Sequence, residues 1–311
     1  MLDLNRFHGI FPPILTPLTD DEEVDHASLR RLVNYLIDCG VNGIWVTGTT
    51  GEFPAFDRAE RAATVATVVD AVAGRVPVIA GIGDASTRLA IGHGHEAVRA
   101  GVDAVALTPP YYYSNSQDEL LEHYRAVRQA VDAPLLVYNI PQTVKVKLDV
   151  STVLTLAKEG TVVGIKDSQN DLDWFRQLMY GTRAQGKNFR GFLGTRYLID
   201  AGLLAGAHGA IPGIANVAAA DCVATYIAAR AQDWETADRH TERLIQLQKI
   251  ANIAGGSANA SAFSGMKAML KGLGVLASAR VRLPLRTASQ SEQDRIAAAT
   301  AEAQLPAFAH A

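Results

Sequence analysis

A lysine at the end of an apolar run is the residue of this chain most suited to covalent chemistry. Lys166 closes the run Val162–Lys166 and is followed by Asp167. At the edge of a poorly hydrated site its pKa is expected to fall, because desolvation disfavours the ammonium form. A neutral amine attacks carbonyl groups and forms Schiff bases. The alternative is a structural lysine that extends to the surface or pairs with Asp167, and position alone leaves both interpretations open.

Two further motifs at the ends of apolar runs could assist such a lysine. Tyr138 ends the run Leu135–Tyr138, and its hydroxyl could relay protons to and from an adduct on Lys166. The loop Gly48-Thr49-Thr50-Gly51-Glu52 follows the run Gly43–Val46, and its backbone N–H groups could cradle a carboxylate. Each motif also has an ordinary structural explanation, since a buried tyrosine is often only a packed ring and a tight turn often needs glycine.

Other positions support weaker hypotheses. Tyr111–Tyr113 form an aromatic loop that could build an interface, a pocket or only a packed rim. Gly194, Arg196 and Gly213 follow later apolar runs and could bind a phosphate group. No metal site is expected from His93–Glu96, because its two histidines are two positions apart and do not share a helix face.

The elements that must position these residues alternate short apolar runs with longer amphipathic stretches of helical spacing. Each run is continuous and bounded by Gly, Pro or Asp, as expected of strands buried on both faces. The eight runs are Gly9–Leu15, Gly43–Val46, Pro77–Ala80, Ala104–Leu107, Leu135–Tyr138, Val162–Lys166, Phe189–Leu193 and Gly209–Ile211. Strands that alternate with helices predict parallel pairing, and eight such units match a TIM barrel, whose active site lies at the C-terminal strand ends.

We therefore predict an α/β fold, a (β/α)₈ TIM barrel over residues 1–232 with a C-terminal helical region over residues 233–311 packed on it. The segment from Trp234 onward has no strand pattern, and no linker-like composition precedes it. A faint internal repeat supports the barrel, because the stretch from Gly40 to Gly48 resembles the stretch from Gly101 to Pro109.

Composition excludes several classes of protein without naming a function. The chain is 48% hydrophobic and 20% charged with a net charge of −3, which is typical of a globular protein that does not bind nucleic acid. Only Cys39 and Cys222 are present, which favours a cytoplasmic protein over a disulfide framework. Met1–Arg6 lacks a signal-peptide pattern, and the uncharged stretch Ala201–Ala220 is rich in glycine, so no membrane association is expected.

Three motifs taken together resemble the signatures of one family. Gly48-Thr49-Thr50-Gly51-Glu52, Tyr138-Asn139-Ile140-Pro141 and Gly164-Ile165-Lys166-Asp167 occur in this order, each at the end of a predicted strand. They resemble the dihydrodipicolinate synthase and N-acetylneuraminate lyase family of class I aldolases, from Gly9–Pro17 to the region of Pro284. The resemblance implies a (β/α)₈ barrel with C-terminal helices, usually a homotetramer of tight dimers. It also implies a Schiff base between the lysine and a 2-oxo acid, commonly pyruvate, without any other cofactor.

The resemblance implies a role for each matching residue. Lys166 would be the catalytic nucleophile, and Tyr138 would be the proton relay, with its hydroxyl held by Thr49. Thr49 and Thr50, with Gly48 beside them, would bind the carboxylate of the 2-oxo acid, largely through backbone amides.

Two residues from other loops would complete the site by the same resemblance. Tyr112 would reach across the tight dimer to complete the proton relay in a neighbouring subunit. Ile211 would offer its backbone carbonyl at the mouth of the eighth strand. The remaining substrate-binding candidates lie past strands five to seven, and they are Gln142, Thr143, Ser168, Gly194, Arg196 and Tyr197.

Departures from the family pattern argue against its best-known reactions. Dihydrodipicolinate synthases carry an arginine, which binds the carboxylate of the second substrate, where this chain has Thr143, and a hydroxyl cannot replace a bidentate guanidinium. Sialate lyases carry Gly-Tyr-Asp-Glu and a serine where this chain has Gly194-Thr195-Arg196-Tyr197 and Gly213. Arg196 could bind an anionic far end of the substrate, such as a distal carboxylate, or pair with Asp200 one turn on.

The sequence thus predicts a Schiff-base-forming lyase, an aldolase or dehydratase acting on a 2-keto-3-deoxy sugar acid or a hydroxy-oxo diacid. One alternative is 4-hydroxy-tetrahydrodipicolinate synthase, which joins pyruvate to aspartate semialdehyde. A second is a catalytically silent binder of 2-oxo acids, and a third is an unrelated barrel that binds a phosphorylated ligand through Gly194 and Gly213. Because a protonated imine serves aldol cleavage, aldol addition and dehydration alike, the motifs do not choose among these reactions.

Overall fold

The predicted apolar runs form eight parallel strands in the computed structural model, which describes residues 3–306. The strands are β1 (Gly9–Ile10), β2 (Ile44–Val46), β3 (Val78–Gly81), β4 (Ala104–Leu107), β5 (Leu135–Asn139), β6 (Gly164–Asp167), β7 (Arg190–Leu193) and β8 (Gly209–Ala210). Their spatial order is β1-β8-β7-β6-β5-β4-β3-β2, and each hydrogen-bonded pair is parallel. The predicted α/β barrel is therefore confirmed.

The first strand is shorter than predicted, and the prediction that it runs to Leu15 was wrong. Regular pairing ends early because, after the Phe11 N–H donates to the Ala210 carbonyl over 3.0 Å, Pro12 and Pro13 have no backbone N–H to donate. The seam to β2 is nevertheless closed, since Pro13 forms a parallel bridge with Trp45. The Trp45 N–H donates to the Pro12 carbonyl over 3.0 Å, and the Ile14 N–H donates to the Trp45 carbonyl over 2.8 Å.

Helices follow the strands and surround the barrel. They are α1 (His26–Asp38), α2 (Arg58–Val72), α3 (Thr87–Ala100), α4 (Gln117–Ala130), α5 (Pro141–Val144), α6 (Val150–Glu159), α7 (Leu172–Ala184), α8 (Ile199–Leu204) and α9 (Ala215–Arg230). Side-chain caps fix the starts of several of these helices. Asp57 and Glu60 form a capping box at α2, and Ser116 and Glu119 form one at α4. Among residues 3–306 no helix combines the length and the apolar composition needed to cross a bilayer.

Three more helices form the C-terminal region, α10 (Trp234–Ala251), α11 (Ala258–Gly272) and α12 (Gln290–Glu302). Helix α10 packs along α9, and the buried side chains of Met266, Met269 and Leu270 on α11 belong to the same apolar cluster as the barrel interior. The predicted boundary between residues 232 and 233 falls in the turn between α9 and α10, and it stays a prediction. The two residues before Asp3 and residues 307–311 of the predicted helical region lie outside the described part.

Candidate active site

The register of two neighbouring strands brings Lys166 and Tyr138 together. In the parallel pair β5–β6, Tyr138 lies directly opposite Lys166. The Lys166 Nζ lies 4.3 Å from the centre of the Tyr138 ring and 4.9 Å from that of Trp45, and the residue is only 3% exposed. No carboxylate lies within 4 Å of this Nζ in residues 3–306. The lysine therefore does not extend to the surface, and it has no counter-ion in the described part of the chain.

Asp167, which follows Lys166 in sequence, is oriented away from it. Successive side chains of a strand point to opposite faces, so Asp167 is paired with Asn139 of β5 instead. The Asn139 Nδ2 donates to the Asp167 Oδ1 over 2.7 Å, and both residues are fully buried. Burial raises the pKa of the Asp167 carboxyl to about 7, while the bond from Asn139 opposes the shift. The alternative that Lys166 pairs with Asp167 was thus wrong, because the two side chains lie on opposite faces.

The Thr49–Gly51 turn lies beside the tyrosine. Thr49 Oγ1 and Tyr138 Oη are 3.1 Å apart, which is the contact that the resemblance implied. Thr16 Oγ1 donates to the Gly51 carbonyl over 2.8 Å and ties the turn to the first barrel segment. Gly48 packs under Trp45, since a Cβ there would lie 2.9 Å from the indole Nε1. The structure therefore brings Thr49 to the site and places Gly48 behind it.

A cavity of about 620 Å³ opens above Lys166. Most of the predicted site residues line it, and they are Thr49, Thr50, Tyr138, Gln142, Thr143, Lys166, Ser168, Gly194, Arg196, Tyr197, Ile211 and Gly213. Gly194 has a steric reason to be glycine. A Cβ there would overlap Ser168 Oγ and lie 2.9 Å from Lys166 Cε, so a larger residue would displace the lysine. Gln142 fixes the same corner, because its Nε2 donates to the Ser168 carbonyl over 2.7 Å.

Arg196 stands at the rim of the cavity. Its guanidinium lies 5.8 Å from the centre of the Tyr197 ring. Within the described residues it forms no ion pair with Asp200, which the sequence had left as an alternative. The Arg196 guanidinium is therefore available to bind an anionic group of a ligand in the outer half of the cavity.

Tyr112 is the one predicted catalytic residue that the chain does not bring to Lys166. It is 78% exposed, and its ring packs edge-on against Tyr113 with the centres 5.1 Å apart. Its neighbour Tyr111 turns inward and donates to Asp84 Oδ1 over 3.3 Å. The role of Tyr112 in a neighbouring subunit stays a prediction.

Several residues of the site were missed by reasoning from the sequence. Trp45 forms one wall around the amine, although its only sequence signal was its position inside the second strand. The C-terminal helices supply the roof, which consists of Gln248, Ala258, Asn259, Ala262, Phe263 and Met266. Nothing in the local pattern of α10 and α11 marks these residues, because the barrel rule points only to strand ends.

Comparison with known proteins agrees with this architecture. The model of the dihydrodipicolinate synthetase family matches residues 6–303. A 4-hydroxy-tetrahydrodipicolinate synthase of Phenylobacterium zucineum is 36% identical over 301 residues, covering 96% of this chain and 98% of that protein. A DapA-like lyase of Halobacterium salinarum is 34% identical over 279 residues, covering 90% and 88%.

Solved structures match just as broadly. The dihydrodipicolinate synthase of Bacteroides thetaiotaomicron aligns with a TM-score of 0.89 at 32% identity, covering 95% of this chain and 98% of its own. YagE, a prophage protein of the same family from E. coli K12 that was solved in complex with pyruvate, aligns with a TM-score of 0.88 at 26% identity, covering 96% and 99%. The chain is thus similar in sequence and in fold, over nearly its whole length, to one group of enzymes.

Proposed function

This chain belongs to the dihydrodipicolinate synthetase family and is a lyase, and we propose that its Lys166 forms a Schiff base with a pyruvate-type 2-oxo acid. The observation that carries the proposal is the surroundings of Lys166, which is buried against two aromatic rings, faces a cavity of about 620 Å³ and has no counter-ion within the described residues. An amine that faces a cavity and is not engaged in an ion pair is sterically free to attack a carbonyl group there.

The proposed first half-reaction uses residues that the strands bring together. The Lys166 amine adds to the C2 carbonyl of the 2-oxo acid, and loss of water leaves the imine. Tyr138, hydrogen-bonded to Thr49, takes and returns the protons that this exchange requires. Thr49 and Thr50 hold the substrate carboxylate, and the Ile211 carbonyl closes the far side of the site. The covalent imine serves as the electron sink, so no further cofactor is needed.

We further propose that the substrate is larger than pyruvate and carries polar groups at its far end. A cavity of about 620 Å³ holds a six- or seven-carbon acid, and its outer wall carries Gln142, Thr143, Ser168 and Arg196. A 2-keto-3-deoxy sugar acid or a hydroxy-oxo diacid fits this wall. Thr143 stands in place of the arginine used for aspartate semialdehyde, which favours these acids over 4-hydroxy-tetrahydrodipicolinate synthesis. YagE, which was solved with pyruvate, supports the choice of a 2-oxo acid.

We propose that the exposed Tyr112 ring contacts a second copy of the chain in a tight dimer. The resemblance to the family further suggests that two such dimers form a homotetramer. A cytoplasmic location rests on the two free cysteines, Cys39 and Cys222.

The proposal is tested by trapping the imine. The protein is incubated with pyruvate, reduced with borohydride and measured by intact mass, with Lys166→Ala as the control. We expect a mass gain of one reduced pyruvate on the native chain only. A native chain that forms no adduct with pyruvate or with a panel of longer 2-oxo acids would contradict the proposal and favour a silent binder.

Arg196→Ala then tests the substrate class. Loss of one charge-assisted contact to a distal carboxylate is expected to raise the KM for a hydroxy-oxo diacid by about tenfold, while a neutral 2-keto-3-deoxy acid is affected far less. Equal kinetics of native and variant enzyme with both substrates would remove Arg196 from substrate binding.

A further inference from the structure

Glu52 ends the turn that carries Thr49 and Thr50, and its backbone has a conformation that residues other than glycine rarely adopt. Its φ of 60° and ψ of 26° lie in the left-handed region. Such a conformation at a residue other than glycine persists where the surroundings hold it. The side chain shows what holds it, because the carboxylate is turned inward and only 1% exposed.

The partner of this carboxylate comes from the other end of the chain. Lys267 on α11 is fully buried, and its Nζ donates to Glu52 Oε1 over 2.6 Å and to the Arg280 carbonyl over 2.7 Å. The second carboxylate oxygen accepts the Arg282 N–H over 2.8 Å. Both ends of the ion pair therefore have hydrogen-bond partners, across 215 positions of sequence.

The same helix also forms part of the cavity. Met266, the neighbour of Lys267, and Phe263 one turn earlier line the space above Lys166. Helix α11 thus contacts the site twice, through apolar side chains on the roof and through Lys267 on the turn. Stability alone does not account for the ion pair, because apolar residues of similar volume are often as stable as a buried ion pair.

We propose that the Glu52–Lys267 ion pair is a positioning device for the chemistry at Lys166, fixing the Thr49–Glu52 turn so that Thr49 stays against Tyr138 and Thr50 stays at the cavity wall. The inference rests on the proposed Schiff-base function. Neither Glu52 nor Lys267 lines the cavity. Their effect is therefore transmitted through the backbone of the turn.

The test compares the rate of borohydride-trapped adduct formation in the native chain, in Glu52→Gln and in the double variant Glu52→Gln/Lys267→Met. The double variant removes both charges and so leaves neither one buried without a partner. Folded protein is isolated by gel filtration, and its Tm is measured. We expect trapping to be at least about tenfold slower in both variants, with a higher KM for the 2-oxo acid, while the Tm of the double variant returns toward the native value.

A double variant with a near-native Tm that traps pyruvate within about twofold of the native rate would overturn the inference. Asp221→Asn is the matched control, because Asp221 joins α9 to α10 through Arg243 Nε over 3.0 Å and lies outside the cavity lining. It is expected to lower the Tm and to leave the trapping rate unchanged.

If the variants do not fold, or if no 2-oxo acid forms an adduct, amide hydrogen exchange on the native chain tests whether the ion pair holds the turn. The amides of Gly51 and Glu52 are expected to be as protected as those of α11, because one ion pair ties the two together. Rapid exchange in the turn beside a protected α11 would overturn the inference. A native chain without any adduct but with a protected turn would instead overturn the proposed function alone.

Discussion

Two lysines of this chain are buried to almost the same extent in opposite surroundings. Lys166 is 3% exposed and Lys267 is fully buried. Lys267 donates to a carboxylate and to a carbonyl, whereas the Lys166 amine faces the Trp45 and Tyr138 rings and an open cavity, with no ion pair among residues 3–306. Burial by itself therefore does not make a lysine reactive. The difference between the two lysines lies in their partners, since the Lys267 amine is held by an ion pair and the Lys166 amine faces a cavity without one among residues 3–306.

The largest expected effect comes from Lys166→Met, which tests the reactive side of the comparison. Removal of the proposed nucleophile is expected to lower kcat/KM by roughly 10⁴-fold or more. The free energy of unfolding is expected to rise by about 1 kcal/mol, because an uncompensated polar group leaves the interior. Steady-state kinetics and urea unfolding of the same preparation check both. A variant that keeps a tenth of the activity would show that Lys166 is not the nucleophile.

Lys267→Met tests whether the ion pair of the second lysine stabilises the fold. Removing one partner strands the Glu52 carboxylate in the interior, which is expected to lower the free energy of unfolding by about 3–5 kcal/mol. Urea unfolding of the two methionine variants side by side is the measurement. If both substitutions change stability by the same amount and sign, the contrast between the two lysines is not one of charge compensation.

Asp167→Asn sharpens the comparison at the residue next to Lys166. The native pKa of about 7 lies above the ordinary value of 3.8, so folding favours the protonated carboxyl. The protonated carboxyl contributes about 2–4 kcal/mol to the free energy of unfolding. This contribution is fully present below pH 4 and is lost as the pH rises from 4 through 7. Asparagine cannot titrate but can still accept the bond from Asn139.

Urea unfolding at pH 5 and pH 8 measures this effect. The native chain should lose more stability over that interval than the variant, and the difference isolates Asp167 from all other titrating groups. Identical pH dependence of the two proteins would mean that the carboxyl is ionised throughout.

The smallest expected effect is that of Thr49→Val, which removes one hydroxyl from the surroundings of Tyr138. One hydrogen bond contributes about 1 kcal/mol, so trapping should slow by about five- to tenfold. Thr152→Val is the matched control, because Thr152 Oγ1 donates to Gln117 Oε1 over 2.6 Å and lies outside the cavity lining. An equal slowing in both variants would point to a general loss of stability.

The site could be predicted from the sequence where strand order determines it. The ends of parallel strands meet at one rim, so Lys166 and Tyr138 could be expected close together on the adjacent fifth and sixth strands. The contact between Thr49 and Tyr138 was implied only by the family resemblance, because two strands separate β2 from β5. The strand bounds were less predictable at Pro12 and Pro13, where the apolar pattern continues but the missing N–H groups end regular pairing.

The roof of the cavity and the buried ion pair could not be predicted. Phe263 and Met266 read as ordinary apolar positions of an amphipathic helix, and only the packing of α11 across the barrel mouth turns them toward Lys166. Glu52 and Lys267 are charged residues whose types suggest surface positions, and no local pattern reports a partner 215 residues away. Contacts between distant segments are set by tertiary packing, which periodicity does not encode.

The large sequence separation between Glu52 and Lys267 has a consequence for the nascent chain during translation. At a translation rate of about 5–20 residues per second, roughly 10–40 s separate the synthesis of Glu52 from that of Lys267, which lies 215 positions later. During this interval the barrel segments leave the ribosome without the helix that covers their mouth. The turn beside Lys166 gains its anchor only when α11 arrives. Synthesis of α11 is thus the step that completes the site, so a nascent chain that stops before α11 would carry the lysine without the fixed turn beside it.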